Sequence, residues 1–141
     1  MTAAELAIAI RAARRCGWVW CDWRRRAYGG ATSDDELEQY IAAVGLIPSG
    51  RPGSWTEIDV AEARRVVQHW STHSLAYSAR ETEGTSYEPF FERFAPGARY
   101  FTTCEGSLGV GNYPKTLHTF DVGVVGVDDT TIALLWFADE D

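Results

Sequence analysis

The chain has 141 residues, of which 45% are hydrophobic and 23% are charged, and these proportions exclude an intrinsically disordered protein. Its net charge of −7 disfavours a general nucleic-acid-binding protein, because contacts between basic side chains and phosphates dominate such affinity. The length fits a single domain, residues 1–141, that buries a hydrophobic core without disulfides or a structural metal.

N-capping signals followed by amphipathic stretches predict three helices in the first half of the chain. Thr2 and Glu5 have the spacing of a capping box, and hydrophobic residues recur after them at helical intervals. Gly17 stands where a C-terminal helix cap is expected. Similar signals open the second helix at Ser33 and Glu36, close it at Gly45, and open the third at Asp59 and Glu62.

Strand signals surround and follow these helices. Residues 18–23 form an aromatic strand, and from about residue 87 the pattern becomes extended. A short helix over 89–94 and a strand over 99–104 precede a hairpin with arms at 117–127 and 131–138, which turns at Asp128 and Asp129. Gly123 and Gly126 indicate a bulge or close packing against a helix. The fold class is therefore α+β, with N-terminal helices packed on one face of a mostly antiparallel sheet formed largely by the C-terminal half.

The N-terminal sequence does not have the order of a signal peptide, because Glu5 precedes the first arginines. The apolar run at 132–138 is too short to cross a bilayer. Three cysteines, an odd number without a framework spacing, are expected to be free thiols. We therefore expect a cytoplasmic protein that does not bind a membrane.

The acidic residues lie mainly outside the first helix and strand. Residues 1–27 carry six arginines against two acids, a net charge of +4, whereas the remainder carries seven basic and eighteen acidic residues, a net of −11. Such an acidic body favours a partner with a basic surface, because electrostatic attraction steers the encounter. Modest acidity is also what keeps many domains soluble.

An alternative function is a small hydrolase or metal-binding protein. His69 and His73 are four residues apart, which places both rings on one face of a helix, and His118 or Cys104 would supply a third ligand. Cys104 would otherwise be a nucleophile served by His118, with Asp121 orienting the imidazole. Because no catalytic signature surrounds Cys104, a buried structural cysteine is the preferred interpretation, and neither a metal nor another cofactor is predicted.

Two further patterns point towards phosphates. Residues 106–111 have the order GxxGxG, which differs from the dinucleotide-binding GxGxxG and favours a simple turn. Arg24, Arg25 and Arg26 follow three tryptophans, a combination that suits stacking on RNA. However, Trp18 and Trp20 fall on one strand face and are more simply core residues, so nucleic acid is disfavoured as a partner.

Protein binding is the leading hypothesis once these catalytic signals are set aside. Two aromatic residues in glycine- and proline-flanked loops are expected to be exposed, and carboxylates are concentrated at the hairpin turn and the C-terminus. Aromatic anchors supply desolvated contact area, and surrounding charges supply rate and specificity. The predicted partner-binding residues are Trp55, Tyr113, Asp128, Asp129, Asp139, Glu140 and Asp141.

The final hairpin also resembles a known class of protein. Residues 120–124 (FDVGV) and 135–141 (LWFADED) look like the closing hairpin of small immunity proteins that are encoded beside bacterial polymorphic or contact-delivered toxins. The resemblance implies a non-enzymatic cytoplasmic inhibitor that binds one cognate toxin and occludes its active site. The toxin would be a nuclease, deaminase or ADP-ribosyltransferase; a peptidoglycan hydrolase is disfavoured because it requires a periplasmic inhibitor.

Overall fold

The computed structural model of the protein describes residues 1–27, 29–48, 54–75, 84–103, 115–118 and 120–140. Within these ranges the helices are α1 (Ala3–Arg14), α2 (Asp34–Val44), α3 (Val60–Trp70) and α4 (Glu88–Phe91). The strands are β1 (Trp18–Arg25), β2 (Thr56–Ile58), β3 (Arg99–Thr102), β4 (Phe120–Val127) and β5 (Thr131–Asp139). All neighbouring strands are antiparallel, in the order β1-β5-β4-β3-β2.

The predicted α+β class, with helices early and the main strands late, is confirmed. The β4–β5 hairpin forms the centre of the sheet, and β1 pairs with β5 along its whole length. The predicted strand at 99–104 is found as β3, and the aromatic strand extends two residues further than predicted, to Arg25. No helix within the described ranges is long and apolar enough to cross a membrane.

The sheet is covered on both faces. The three-helix face carries α1, α3 and α4, which pack with side chains such as Val122, Leu135 and Phe137. The α2 face carries α2 and the segment around Trp55, which pack with side chains such as Val125 and Trp136. Because successive strand residues point to opposite faces, each of the central strands contributes to both clusters. This explains why β4 and β5 are buried almost throughout.

Capping interactions fix the starts of the long helices. Thr2 and Glu5 form the predicted reciprocal capping box of α1. Ser33 and Asp59 accept hydrogen bonds from the third backbone N–H of α2 and α3, respectively. The prediction that Gly17 caps the end of α1 is wrong: the left-handed cap residue is Arg15, with φ of 63°, because the helix ends two residues earlier.

The two glycines in β4 mark close approaches to aromatic rings. A Cβ atom at Gly126 would overlap the ring of Phe94, just beyond α4, and one at Gly123 would overlap the indole of Trp136 on the neighbouring strand. The pairing of β4 with β5 is continuous through both glycines, so close packing, and not a bulge, accounts for them.

Candidate functional site

The residues predicted to bind a partner do not form one surface. Asp128 and Asp129 lie at the turn between β4 and β5, whereas Glu140 follows the far end of β5. A strand rises about 3.4 Å per residue, so roughly 25 Å separates these two ends of the sheet. Tyr113 and Asp141 lie outside the described residues. The predicted acidic residues that the structure describes therefore do not share one contact surface.

Asp128 stabilises the hairpin turn. Its carboxylate accepts hydrogen bonds from the backbone N–H groups of Ala95, Thr130 and Thr131, at 2.8, 2.9 and 2.7 Å. Partial burial favours the protonated form, but these hydrogen bonds outweigh it and lower the pKa of Asp128. Asp129, next to it, is exposed. Of the two aspartates, only Asp129 is left as an exposed charge for a partner.

Trp55 is buried, which corrects its prediction as an exposed anchor. Only 7% of the residue is accessible, and its ring meets that of Trp136 edge-on at 5.9 Å. The reason is its position directly before β2, whose pairing with β3 draws the indole onto the α2 face. The Nζ atom of Lys115 lies 5.1 Å from the centre of the Trp55 ring and 3.3 Å from a carboxylate oxygen of Glu38, with Lys115 fully buried.

Asp139 is also buried, so its prediction as part of an exposed acidic tip is wrong. Its carboxylate forms a two-point ion pair with the guanidinium of Arg14 and accepts a hydrogen bond from the backbone N–H of Leu75. Arg14 also donates to the backbone carbonyls of Trp70, Cys16 and His73. The pair therefore joins the ends of α1, α3 and β5 and is structural.

The end of the sheet opposite the hairpin turn carries a different group of residues. The imidazole of His118 stacks on the indole of Trp18, with ring centres 3.7 Å apart and planes at 19°. Its Nδ1 atom lies 2.9 Å from a carboxylate oxygen of Glu140. A carboxylate is thus held against a stacked aromatic pair at the start of β1 and the end of β5.

Two exposed aliphatic side chains lie on the segment that carries His118 and on the segment bonded to it. Leu117, directly before His118, is 91% exposed, and Ile47, just after α2, is 41% exposed. The backbone N–H of Ile47 donates to the carbonyl of Lys115 at 2.7 Å, which joins the end of α2 to the segment that carries Leu117. Trp18 itself is 40% exposed. We call this group the sheet-end patch: Trp18, Ile47, Leu117, His118 and Glu140.

The sequence did not reveal most of this patch. The sequence predicts Trp18 as a core residue because it shares a strand face with Trp20, but it is the first residue of β1 and is 40% exposed. Leu117 was assigned to the first hairpin arm, whereas β4 begins at Phe120. Only Glu140 was predicted. The only sequence signal for the patch is the pair Leu117 and His118, an aliphatic residue beside a histidine, between a loop and a strand.

The structure does not support the predicted catalytic arrangement of Cys104, His118 and Asp121. His118 and Asp121 are both described, and they bind different partners. Asp121 is buried and accepts hydrogen bonds from the N–H groups of Lys115 and Thr116 and from the indole of Trp136, whereas His118 contacts Glu140. Asp121 therefore orients the segment before β4, not the imidazole. Cys104 lies outside the described residues, as do residues 106–111.

Cys21 is described, and it is not a reactive thiol. Burial, with a smaller contribution from the neighbouring Asp22 carboxylate, raises its pKa to about 12. The thiolate is the nucleophilic form of cysteine, so this side chain behaves as a small hydrophobic residue.

The histidines do not converge on a metal site. His69 and His73 stack face to face, with ring centres 4.0 Å apart and planes at 11°, and lone pairs in parallel planes do not meet at one ion. His73 Nδ1 also lies 2.8 Å from the hydroxyl of Thr72. His118 stacks on Trp18. Trp18 is on the same side of β1 as Trp20, which packs on the α2 face, whereas α3, the helix of His69, packs on the three-helix face. Within the described ranges no group of three His, Cys, Asp or Glu residues has metal-binding geometry.

The arginine run at the end of β1 is partly neutralised. Arg26 is buried and paired with Glu36 at 2.6 Å, and Arg24 pairs with Asp22 at 2.9 Å. Arg25 is exposed. The expectation of internal pairing thus holds for two of the three arginines.

No protein-family model matches the sequence, and neither a curated protein nor a solved structure is significantly similar to the chain. Functional interpretation therefore depends on the geometry of the sheet-end patch and on the chemistry of its side chains.

Proposed function

We propose that the chain is a non-enzymatic protein-binding domain, an immunity-type inhibitor that covers the active site of one cognate toxin or effector. The observation that carries the proposal is the sheet-end patch. It combines an exposed tryptophan, two exposed aliphatic side chains and a carboxylate at one end of an otherwise well-buried sheet.

The apolar part of the patch supports binding to a protein. Tryptophan is enriched among residues that dominate binding energy, and such residues act when neighbouring side chains exclude water from them. Leu117 directly precedes His118, and Ile47 is bonded to the same segment through Lys115, so both would help to exclude water when a partner covers Trp18. Contiguous exposed apolar side chains rimmed by polar groups are typical of interaction sites.

The polar part supports a partner with a cationic contact group. The Glu140 side chain is 43% exposed, so one carboxylate is accessible beside the Trp18–His118 stack. An arginine or lysine of the partner would pair with that carboxylate and contact the aromatic rings. The net charge of −7 would add long-range attraction for a basic active-site surface.

The test is co-expression with the product of the adjacent gene, followed by purification of the complex and an assay of that product's toxicity. We expect a one-to-one complex in which the toxic activity is abolished. Replacement of Leu117 by Asp should weaken the complex at least about tenfold, which corresponds to about 1.4 kcal/mol.

Ile8→Asp is the matched control, because Ile8 is a 69% exposed aliphatic residue of the same size on α1, a helix that packs on the three-helix face. It should leave the affinity unchanged. A complex that retains full toxic activity would refute inhibition, and equal losses for both variants would refute the assignment of the patch. For the alternative metal-binding function, elemental analysis of the freshly purified protein should give far less than one zinc per chain.

A further inference from the structure

The two edges of the sheet differ in length. β1 is an edge strand of eight residues without glycine or proline, and it pairs with β5 at every position from Trp18 to Arg25. β2, at the other edge, has three residues. Long regular edge strands invite further strand pairing, and proteins commonly avoid this with short strands, bulges or prolines. β2 is protected by its length, whereas β1 has charged side chains only at Asp22, Arg24 and Arg25, and the first two of these pair with each other.

The outer side of β1 presents a defined set of backbone groups. The N–H of Arg26 donates to the carbonyl of Thr130 at 2.8 Å, in the register that pairs Arg25 with Thr131. In an antiparallel pair the direction of backbone groups alternates along the strand. Even-numbered residues of β1 therefore face β5, and the N–H and C=O groups of Val19, Cys21 and Trp23 face outward. Within the described ranges, no other segment forms backbone hydrogen bonds with them.

The geometry points to a second copy of the chain as the occupant of this edge. We infer that two β1 strands pair antiparallel about a two-fold axis at Cys21, which joins two five-stranded sheets into one. A two-fold axis perpendicular to the sheet keeps each face of one copy continuous with the same face of the other. Two residues that oppose each other must then both be odd-numbered or both be even-numbered, which restricts the ways in which the two strands can align.

The register centred on Cys21 is chemically self-complementary. It opposes Trp18 with Arg24 on the α2 face, so that a guanidinium, which in one copy is bonded to Asp22 and lies over Tyr40, comes beside an indole twice in each dimer. It also opposes Val19 with Trp23 on the three-helix face, again twice.

The two registers with the axis one residue away are less favourable for pairing. An axis at Asp22 would oppose two carboxylates, and an axis at Trp20 would leave residues 23–25 unpaired. Because the other sheet edge is short, pairing through β1 closes as a dimer and does not propagate into a fibre.

The test measures mass and amide hydrogen exchange of the isolated protein over a range of concentrations. We expect the mass to rise from 15.7 kDa towards twice that value. In the dimer, the amides of Val19, Cys21 and Trp23 should exchange at least about tenfold more slowly, while those of Trp20 and Asp22, already bonded to β5, should not change.

Two variants test the pairing itself. Val19→Pro removes one outward N–H without removing a bond to β5, and edge strands tolerate proline in this orientation. It should abolish dimerisation, whereas Val19→Thr, which keeps the N–H and the branched shape, should not. Trp18→Arg, which opposes two guanidinium groups, should also give a monomer if the proline variant does not fold.

A chain that stays monomeric up to millimolar concentration, or that associates without protection of the three outward amides, would overturn the inference. The experiment needs no partner protein, so its outcome is independent of the proposed function. Trp18 belongs to both surfaces, and a partner bound at the sheet-end patch would therefore compete with the dimer.

Discussion

Arg14 and Asp139, 125 residues apart in the sequence, form a buried two-point ion pair that joins the first helix to the last strand. The guanidinium uses its remaining donors on three backbone carbonyls, and the carboxylate accepts the N–H of Leu75. Nearly all hydrogen-bonding capacity of the pair is used within the fold, which is the condition under which a buried charge pair is tolerated.

Removal of one partner of this pair should destabilise the protein strongly. Arg14→Met leaves the Asp139 carboxylate buried without its cation, and we expect the free energy of unfolding to fall by about 3–5 kcal/mol. Urea denaturation followed by circular dichroism measures this fall in the free energy of unfolding. The control is Arg65→Met, which breaks an exposed pair with Glu62 and should cost less than about 1 kcal/mol. Similar losses in both variants would contradict the structural role of Arg14.

The contact between Gly126 and Phe94 predicts an overpacking effect. Gly126→Ala places a methyl group against the ring, and we expect a loss of about 1–3 kcal/mol in the free energy of unfolding. Adding Phe94→Leu to this variant should restore part of the loss. Gly29→Ala is the matched control, because a Cβ there meets only a backbone oxygen at an ordinary 3.5 Å.

The lowered pKa of Asp128 predicts a loss of stability in acid. Its folded-state pKa lies below the unfolded value of 3.8, so the unfolded chain binds the proton more readily. The contribution is therefore present above pH 3.8 and is lost as the pH falls through the folded-state value. Asp128→Asn should flatten the pH dependence of unfolding in this range. An unchanged slope would show that the turn does not depend on the ionised carboxylate.

His69 should add a second pH dependence near neutrality. Burial, followed by the charge of His73, lowers the pKa of His69 below 6.5. The unfolded state then binds more protons, so the contribution of neutral His69 is full above pH 6.5 and declines as the pH falls. His69→Gln should reduce the slope of stability against pH between about 6.5 and 5 while leaving it unaltered above pH 7.5. Thermal or urea unfolding at each pH tests this expectation.

Local signals in the sequence predicted the elements, because capping pairs, alternation and turn residues act over a few neighbours. Thr2 with Glu5, and Asp128 at the turn, are examples that the structure contains in the predicted roles. Long-range relationships were not predictable in this way. Asp139 was placed in an exposed tip because its partner, Arg14, is at the other end of the chain. Trp55 is expected to be exposed because glycine and proline flank its loop, whereas the pairing of β2, which begins at the next residue, buries it.

The sheet-end patch was missed for the same reason. Trp18, Ile47 and Leu117 come from three distant segments. The stack of His118 on Trp18 joins the first segment to the last, and the bond between Ile47 and Lys115 joins the second segment to the last. Glu140 was predicted from composition, but its contact with His118 depends on the tertiary fold.

Lys115 is the only lysine of the sequence, and it is enclosed between Glu38 and Trp55. In the native state, amine-directed acylating reagents should therefore leave the side chain of Lys115 unlabelled. Labelling at Lys115 would require opening of the α2 face, so its rate would report on unfolding without any engineered probe.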